Sequence, residues 1–222
     1  MEYQGLEKNT MSTKKTIAYE KIKQLIVNNE IEKDAPLVER QLCEMLSISR
    51  TPIREALREL ANENLVEIIE GKGVYVKKID FRDMVELFEV REALEGMAVR
   101  LFTERMDEEG LEHFKSFMEE QKEAYRQENH KEFMDVDMKI HFLIAEGAKN
   151  GRLKNEIMVI YDQIKQIAIS AKDSKEMRDT ALDAHLGILD AVMARDPDAA
   201  QAAMVCHIKK TLELHKEKYY LL

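Results

Sequence analysis

The chain has 222 residues, with 34 Lys and Arg against 43 Asp and Glu and a net charge of −9. This length is sufficient for one large domain or two modest ones, each able to bury a core. The acidic total does not favour a nucleic-acid binder, so any such contact has to come from a local basic surface. Three prolines, eight glycines and a strong 3.6-residue apolar periodicity predict a mainly helical protein.

The cysteines and the apolar segments indicate the compartment. Cys43 and Cys206 lie in separate helical patterns, which gives no sign of a disulfide framework and fits a reducing cytosol. No apolar run approaches the roughly 20 residues of a membrane span, and the N-terminus lacks the apolar core of a signal peptide. We therefore expect a soluble, cytoplasmic protein with no membrane partner.

The first part of the chain has the element order of a helix-turn-helix. Residues 1–12 show no periodicity and are predicted to form a loose arm. Apolar residues then recur at helical spacing and predict a first helix over 13–29, a short second helix over 39–46 and a third helix starting near residue 51. Residues 47–49 form a tight turn between the last two helices, as in a helix-turn-helix.

The third helix is amphipathic and has basic side chains at its start. Thr51 is a suitable N-cap and Pro52 suits the first helical position. Arg50, Thr51 and Arg54 lie on the side away from the apolar stripe, where guanidinium and backbone N–H groups can meet phosphates and guanine edges. A solvated surface helix shows the same pattern, so this segment alone leaves both interpretations open. The apolar stripe consists of Ile53, Ala56, Leu57 and Leu60.

A β-hairpin is predicted after the third helix. Two β-prone runs, over 65–69 and 74–76, flank the sequence Gly71-Lys72-Gly73. The two glycines give the turn its backbone freedom and allow a close approach to a phosphate backbone.

Residues 13–78 resemble the winged helix-turn-helix domain of GntR-family transcription regulators. The family pattern contains a Ser-Arg-Thr-Pro-x-Arg-Glu-Ala-Leu run, nearly intact here over 49–57, and a Gly-rich hairpin called the wing. The chain departs from the pattern at 32–36, where the family usually has a glycine-containing turn, and a slightly different turn is expected. The resemblance implies double-stranded DNA as a partner and assigns contacts to Arg40, Arg50, Thr51, Arg54 and Gly71. We also expect contacts from Ser49 and from Lys72.

From about residue 79 the pattern changes to long amphipathic helices. Residues 79–222 are predicted to form an all-α, six-helix antiparallel bundle. The six helices are predicted over 81–105, 108–128, 130–148, 151–170, 174–194 and 197–217.

Four polar residues of this bundle fall on apolar helix faces. Asp137 and His141 share one face because they are four residues apart, and His185 and His207 each lie in line with apolar residues. A single such histidine is usually a hydrogen-bonded core residue. Three of them with an aspartate, on three helices, indicate a shared divalent metal ion, which would satisfy all four buried groups. This ligand set suits Zn²⁺, Ni²⁺ or a similar ion without choosing among them.

Residues 79–222 resemble the FCD domain, the helical effector domain of the FadR/VanR-like branch of the GntR family. Many members have an Asp-x-x-x-His pair and two later histidines that bind metal. Asp137, His141, His185 and His207 match this pattern position by position. Six predicted helices point toward the VanR-like arrangement. A homodimer would present two winged helices related by a two-fold axis, and these would bind a short inverted-repeat operator.

Arg91 falls on the apolar side of its helix, where a charge is unexpected. One interpretation is an internal ion pair with Glu95, four residues on. The other, which the family resemblance implies, is a cation that awaits a small carboxylate effector beside the metal. The sequence leaves both open. Nothing singles out further pocket-lining residues among Asn155, Tyr161 and Gln163, and no special role is predicted for His113, His130 and His215.

The expected function is a ligand-responsive, DNA-binding transcriptional regulator, expected to be a repressor and not an enzyme. One alternative is a hydrolase-like domain in which the metal activates water, although no paired motif supplies a general base. The other alternative is a regulator with a purely structural metal, whose coordination shell the four protein ligands would close.

Overall fold

The computed structural model describes residues 3–31, 35–170 and 174–219, with side chains described from residue 13 onward except at Ser170. The chain divides into two compact units. The first consists of Met1–Ile79 together with Asp162–Ser170, and the second consists of Asp80–Tyr161 and Ala171–Leu222.

The first unit has the predicted order of three helices followed by a hairpin. The two strands pair antiparallel, with Val66 opposite Val76 and Ile69 opposite Gly73. Gly71 has φ +73° and Gly73 has φ +121°, backbone conformations that side-chain-bearing residues rarely adopt. The elements are α1 (Tyr3–Val27), α2 (Glu39–Leu46), α3 (Arg50–Asn62), β1 (Val66–Ile69) and β2 (Gly73–Val76).

The core of the first unit is formed by the apolar faces that periodicity predicts. The stripe of α3 is buried and packs with residues of α1 and of the hairpin. Burying this stripe removes apolar area from water at roughly 25 cal/mol per Å² and fixes which way α3 faces. The polar side of α3 consequently stays in solvent. The most completely buried members of this core include Ile22, Ile26, Ile53, Leu57, Leu60 and Leu65.

Two predictions for the first unit are wrong in detail. Helix α1 begins at Tyr3 and not at residue 13, so the predicted loose arm is helical from Tyr3 on. Once the buried part of a helix is nucleated, each added residue brings its own hydrogen bond, and an extension needs no apolar stripe. The N-cap of α3 is Ser49 and not Thr51, which lies inside the helix. The predicted turn at 32–36 falls largely on residues 32–34, outside the described residues.

The six helices predicted after residue 79 are all present, each end within two residues of its predicted position, and the last part of the fourth, Asp162–Ser170, belongs to the first unit. The predicted breaks coincide with N-caps: the side chains of Asp80, Asp107, Asn129 and Ser174 each accept a hydrogen bond from a backbone N–H three residues on. These helices are α4 (Phe81–Arg105), α5 (Glu108–Arg126), α6 (His130–Gly147), α7 (Gly151–Ser170), α8 (Lys175–Met193) and α9 (Pro197–Tyr219).

The mainly α fold class, with an N-terminal winged helix and a C-terminal helical domain, is confirmed. In the second unit the rings of Phe102 and Phe114 pack edge to face, with centroids 6.1 Å apart. Among the helices that the structure describes, none is both long enough and apolar enough to cross a lipid bilayer.

Candidate metal centre and nucleic-acid interface

The start of helix α3 is exposed and is not capped by a side chain. Ser49 is the N-cap residue, but its hydroxyl makes no capping hydrogen bond. Arg50 and Thr51 in the first turn are exposed. The first N–H groups of a helix have no partner within the helix, and with the helix dipole they form a site for anions. This end of α3 can therefore receive phosphate oxygens.

The other residues assigned to DNA also lie on the surface of the first unit. The Nε of Arg54 donates to both carboxylate oxygens of Glu39, at 2.7 and 2.8 Å, so α2 holds this guanidinium at the start of α3. All seven predicted contact residues are exposed: Arg40, Ser49, Arg50, Thr51, Arg54, Gly71 and Lys72.

In the second unit, three buried imidazoles from three helices converge. His141 on α6, His185 on α8 and His207 on α9 are each at most 3% exposed. One nitrogen from each ring lies within 4.8 Å of the others. The closest pair is Nε2 of His141 and Nε2 of His185, 3.3 Å apart. The structure thus brings together the three histidines that the sequence assigns to one site.

Asp137, one turn earlier on α6, lies beside two of these rings but is not part of the group whose ligand atoms all lie within 4.8 Å of one another. Its two carboxylate oxygens lie 3.9 Å from Nε2 of His141 and 3.7 Å from Nε2 of His185. These distances are longer than a hydrogen bond, so the carboxylate and the two rings are not in direct hydrogen-bond contact. The carboxylate flanks two of the three imidazoles and retains some exposure, whereas the rings are fully enclosed.

Arg91 and Glu95 on α4 border the histidines. The Nε of Arg91 donates to Oε1 of Glu95 at 2.5 Å, and Nδ1 of His141 donates to Oε2 of the same carboxylate. The Nη2 of Arg91 lies 3.4 Å from Nε2 of His141 and 3.4 Å from the hydroxyl of Tyr161. The predicted Arg91–Glu95 ion pair is therefore present. The same carboxylate also accepts from His141, so this ion pair is joined to the histidine cluster by a hydrogen bond.

Burial and neighbouring charges shift the pKa values of the ionisable side chains at this site. Burial alone would raise the pKa of Glu95, but Arg91 and His141 outweigh burial and lower the pKa to about 2, so this carboxylate is ionised. Burial lowers the pKa of His185 to about 4 and holds the pKa of His207 well below its usual value. Both imidazoles are therefore neutral near pH 7, the form that binds metal.

The residues present fit a divalent metal ion. The buried Nδ1 of His207 has no hydrogen-bond partner among the described residues, and a buried polar atom without a partner is costly. Three imidazoles and a carboxylate are a donor set typical of Zn²⁺ and Ni²⁺. When bound, such an ion would supply a positive charge and a Lewis-acidic position for an anionic oxygen.

Both parts of the chain match known domains. Residues 86–210, more than half of the chain, match the FCD domain, and residues 14–76 match the bacterial regulatory proteins of the gntR family. The chain belongs to the GntR family of regulators. It is a DNA-binding transcriptional regulator with an FCD domain. Because the matched families and relatives are regulators and not enzymes, the hydrolase alternative is removed.

Individual relatives of this GntR-family regulator cover most of its length. A probable D-xylose utilization operon transcriptional repressor of Paenarthrobacter nicotinovorans is 30% identical over 82% of this chain and 80% of its own. The transcriptional repressor RspR of Escherichia coli is 25% identical over 88% of this chain and 86% of its own. The solved structure of E. coli McbR/YncC, at 20% identity, has a TM-score of 0.79 and covers 93% of this chain and 98% of that one, which shows the same fold.

Gln121 and His215 are among the buried polar residues of this regulator that were not predicted from its sequence. Gln121 on α5 is fully buried and contacts two of the predicted metal ligands. His215 on α9 is 6% exposed and packs edge-on against Phe88, with ring centroids 5.5 Å apart. Each lies at helical spacing on the face that carries its buried neighbours, at i+3 from Met118 and i+8 from His207, and that spacing could have indicated their burial but not their partners on other helices.

Proposed function

We propose that this GntR-family regulator is a metal-dependent repressor that senses a small carboxylate. In this proposal a divalent ion, Zn²⁺ or Ni²⁺, is held by Asp137, His141, His185 and His207. An anionic effector contacts the ion and Arg91. A homodimer binds a short inverted-repeat operator through helix α3 and the wing, and effector binding changes its affinity for this operator.

The observation that carries the proposal is the convergence of three buried imidazoles near a carboxylate. Buried polar groups normally have hydrogen-bond partners, yet Nδ1 of His207 has none among the described residues. The 3.3 Å separation of two Nε2 atoms, with Asp137 3.7 Å from one of them, leaves a position surrounded by potential ligands. A shared metal ion would satisfy these groups together.

The support for an anionic effector is the position of Arg91. Its Nη2 lies 3.4 Å from Nε2 of His141, one of the ring nitrogens of the proposed metal site. The described contacts of the guanidinium involve Nε and Nη2, and this group has five N–H donors. A carboxylate that contacts both the ion and the remaining donors would be held by two positive charges. Glu95 would keep the guanidinium in place for it.

The support for repression and for the operator comes from the relatives and from the first unit. Two relatives carry the name of repressor. The exposed, uncapped start of α3 and the exposed Gly71 and Lys72 at the hairpin turn offer groups for base edges and phosphates. Since a winged helix of this size covers one half-site, a two-fold dimer fits an inverted repeat.

The test is operator binding as a function of metal and carboxylate. An operator duplex is first selected by enrichment from random DNA with the purified full-length protein. Binding is then measured at fixed salt with the metal-loaded protein, with the chelated protein, and with a panel of small mono-, di- and tricarboxylates. The His207→Ala variant is compared with His113→Ala, in which an exposed histidine outside the site is removed.

The proposal predicts that at least one carboxylate changes operator affinity of the metal-loaded wild type and of His113→Ala. The same carboxylate should have no effect on the chelated protein or on His207→Ala. A response that survives chelation would contradict the metal-bridged effector. Metal binding without any carboxylate response would favour the purely structural metal, with the four protein ligands closing its shell.

A further inference from the structure

Gln121 is a fully buried amide on a helix that contributes no ligand to the proposed metal site. It lies on α5 at 0% exposure, among the apolar residues Phe114, Met118 and Ala124. A glutamine is rarely buried so completely without specific partners. Here both ends of the amide have one: Oε1 lies 2.9 Å from Nδ1 of His185, and Nε2 lies 3.5 Å from Oδ1 of Asp137.

The two partners determine which way the amide faces. A carboxylate can only accept hydrogen bonds, so the amide NH₂ of Gln121 has to face Asp137. The amide oxygen then faces His185 and can only accept, so Nδ1 of His185 has to carry its proton. In the neutral form of the ring, the form that binds metal, Nε2 is then an unprotonated lone pair.

The same reasoning applies to His141 through Glu95. The carboxylate of Glu95 accepts from Nδ1 of His141, and in the neutral form of that ring Nε2 has no proton. Two lone pairs therefore face each other across 3.3 Å, from His141 and His185. Both belong to the nitrogens nearest Asp137. These tautomers therefore leave both lone pairs available to bind one cation.

We infer that Gln121 is a positioning residue of the metal site, which fixes the tautomer of His185 and orients Asp137 at the same time. The inference rests on the proposed metal site and deepens it. Outer hydrogen bonds of this kind typically change metal affinity by about 10- to 100-fold when removed. Because one amide contacts both His185 and Asp137, its removal should change the positions of both proposed ligands.

Two substitutions at Gln121 distinguish positioning from simple packing. Gln121→Met has nearly the same shape but no acceptor for His185 and no donor for Asp137. Gln121→Glu keeps an acceptor for Nδ1 of His185 but places a second carboxylate beside Asp137. A positioning role predicts that the Glu variant retains metal far better than the Met variant. A packing role predicts the reverse, because methionine is the better-tolerated buried residue.

The experiment measures Zn²⁺ affinity by competition with a chelating dye in the full-length wild type and both variants. Thr103→Val serves as the control, since it removes another buried polar side chain, whose hydroxyl donates to the carbonyl of Val99. The ¹⁵N shifts of the histidine side chains in metal-free protein report the tautomer directly. Circular dichroism establishes that each variant is folded.

The expected result is a loss of Zn²⁺ affinity of about 10- to 100-fold in Gln121→Met, a much smaller change in Gln121→Glu, and none in Thr103→Val. The His185 ring should be protonated at Nδ1 in wild type and lose that preference in the Met variant. Equal affinity of wild type and Gln121→Met, or an unchanged tautomer, would overturn the inference while leaving the metal site intact. A wild type that binds no Zn²⁺ or Ni²⁺ would instead overturn the proposed function, and the positioning role would fall with it.

Discussion

Nη2 of Arg91 lies 3.4 Å from Nε2 of His141, so the proposed anion-binding group stands directly beside the proposed metal-binding group. Both side chains also contact the same carboxylate, that of Glu95. The ion pair and the effector role were alternatives at the level of sequence. The geometry makes them compatible, because Glu95 occupies one edge of the guanidinium and leaves other N–H donors.

Arg91→Lys tests the effector role while retaining a positive charge for Glu95. A lysine lacks the planar fork that binds a carboxylate with two hydrogen bonds. We expect the variant to fold and bind metal, and to need about tenfold or more carboxylate for the same change in operator binding. The measurement is a carboxylate titration of operator affinity, with Arg126→Lys as the exposed control. An unchanged titration in Arg91→Lys would remove Arg91 from the effector site.

Arg50→Ala tests the assignment of helix α3 to base recognition. An arginine that makes one bidentate base contact contributes about 1–3 kcal/mol of discrimination. The variant should therefore lose operator affinity by that amount and keep most of its affinity for random duplex. Lys72→Ala should weaken binding to both duplexes similarly and reduce the salt dependence, as expected for a phosphate contact. If Arg50→Ala binds operator as the wild type does, the recognition-helix assignment is wrong.

His215 makes the stability of the metal-free protein depend on pH. Burial, with the charges of Arg91 and Lys218, lowers the pKa of His215 to about 4. The unfolded chain, with an ordinary histidine pKa near 6.5, binds more protons than the folded chain between these values. Above about pH 6.5 His215 does not change the free energy of unfolding. As the pH drops from there toward 4, His215 lowers this free energy by up to about 1.4 kcal/mol per pH unit.

Denaturant unfolding of wild type and His215→Phe between pH 7.5 and pH 4.5, both with chelator, measures this effect. Since the ring packs against Phe88, phenylalanine can retain the aromatic contact without a proton to bind. The free energy of unfolding should decline less with falling pH in the variant, and His113→Phe should follow the wild type. Parallel pH profiles for wild type and His215→Phe would show that this imidazole is not held neutral.

Two helical glycines should respond to alanine in opposite directions. A Cβ at Gly147 would lie 2.6 Å from Cε2 of Phe102, a fully buried ring. Gly147→Ala should therefore destabilise the protein by about 1–3 kcal/mol, as overpacking of a core does. A Cβ at Gly187 would meet nothing within 4 Å, so Gly187→Ala should stabilise helix α8 by about 0.5–1 kcal/mol. Thermal unfolding of both variants tests the packing around Phe102, and a stable Gly147→Ala would contradict it.

The sequence predicted which polar side chains lie close together in the second unit because helical spacing has a direct geometric meaning. Asp137 and His141 are four residues apart on one apolar face, so their placement together follows from α6 being a helix. Hydrophobic periodicity likewise predicted the six helices α4 to α9, and polar residues at the breaks are N-caps. The positions of His185 and His207 on apolar faces of two further helices indicated that they join this group, and the family resemblance supported it independently.

The remaining features depend on contacts between helices or on local backbone geometry. Gln121 and His215 are polar residues on otherwise apolar faces, and their partners come from other helices, which one-dimensional spacing does not reveal. The choice of Ser49 over Thr51 as N-cap is decided by backbone dihedrals. The start of α1 at Tyr3 has no apolar signal, because an extension of an anchored helix needs none.

The most direct measurement is the metal content of the purified protein, by elemental analysis, together with melting temperature with and without chelator. We predict about one Zn²⁺ or Ni²⁺ per chain in wild type and in His113→Ala, with a melting temperature that falls on chelation because metal binds the folded state. His185→Ala and His207→Ala should retain far less metal and melt independently of chelator. Equal metal content in wild type and His207→Ala, or a wild-type melting temperature insensitive to chelator, would contradict the metal centre.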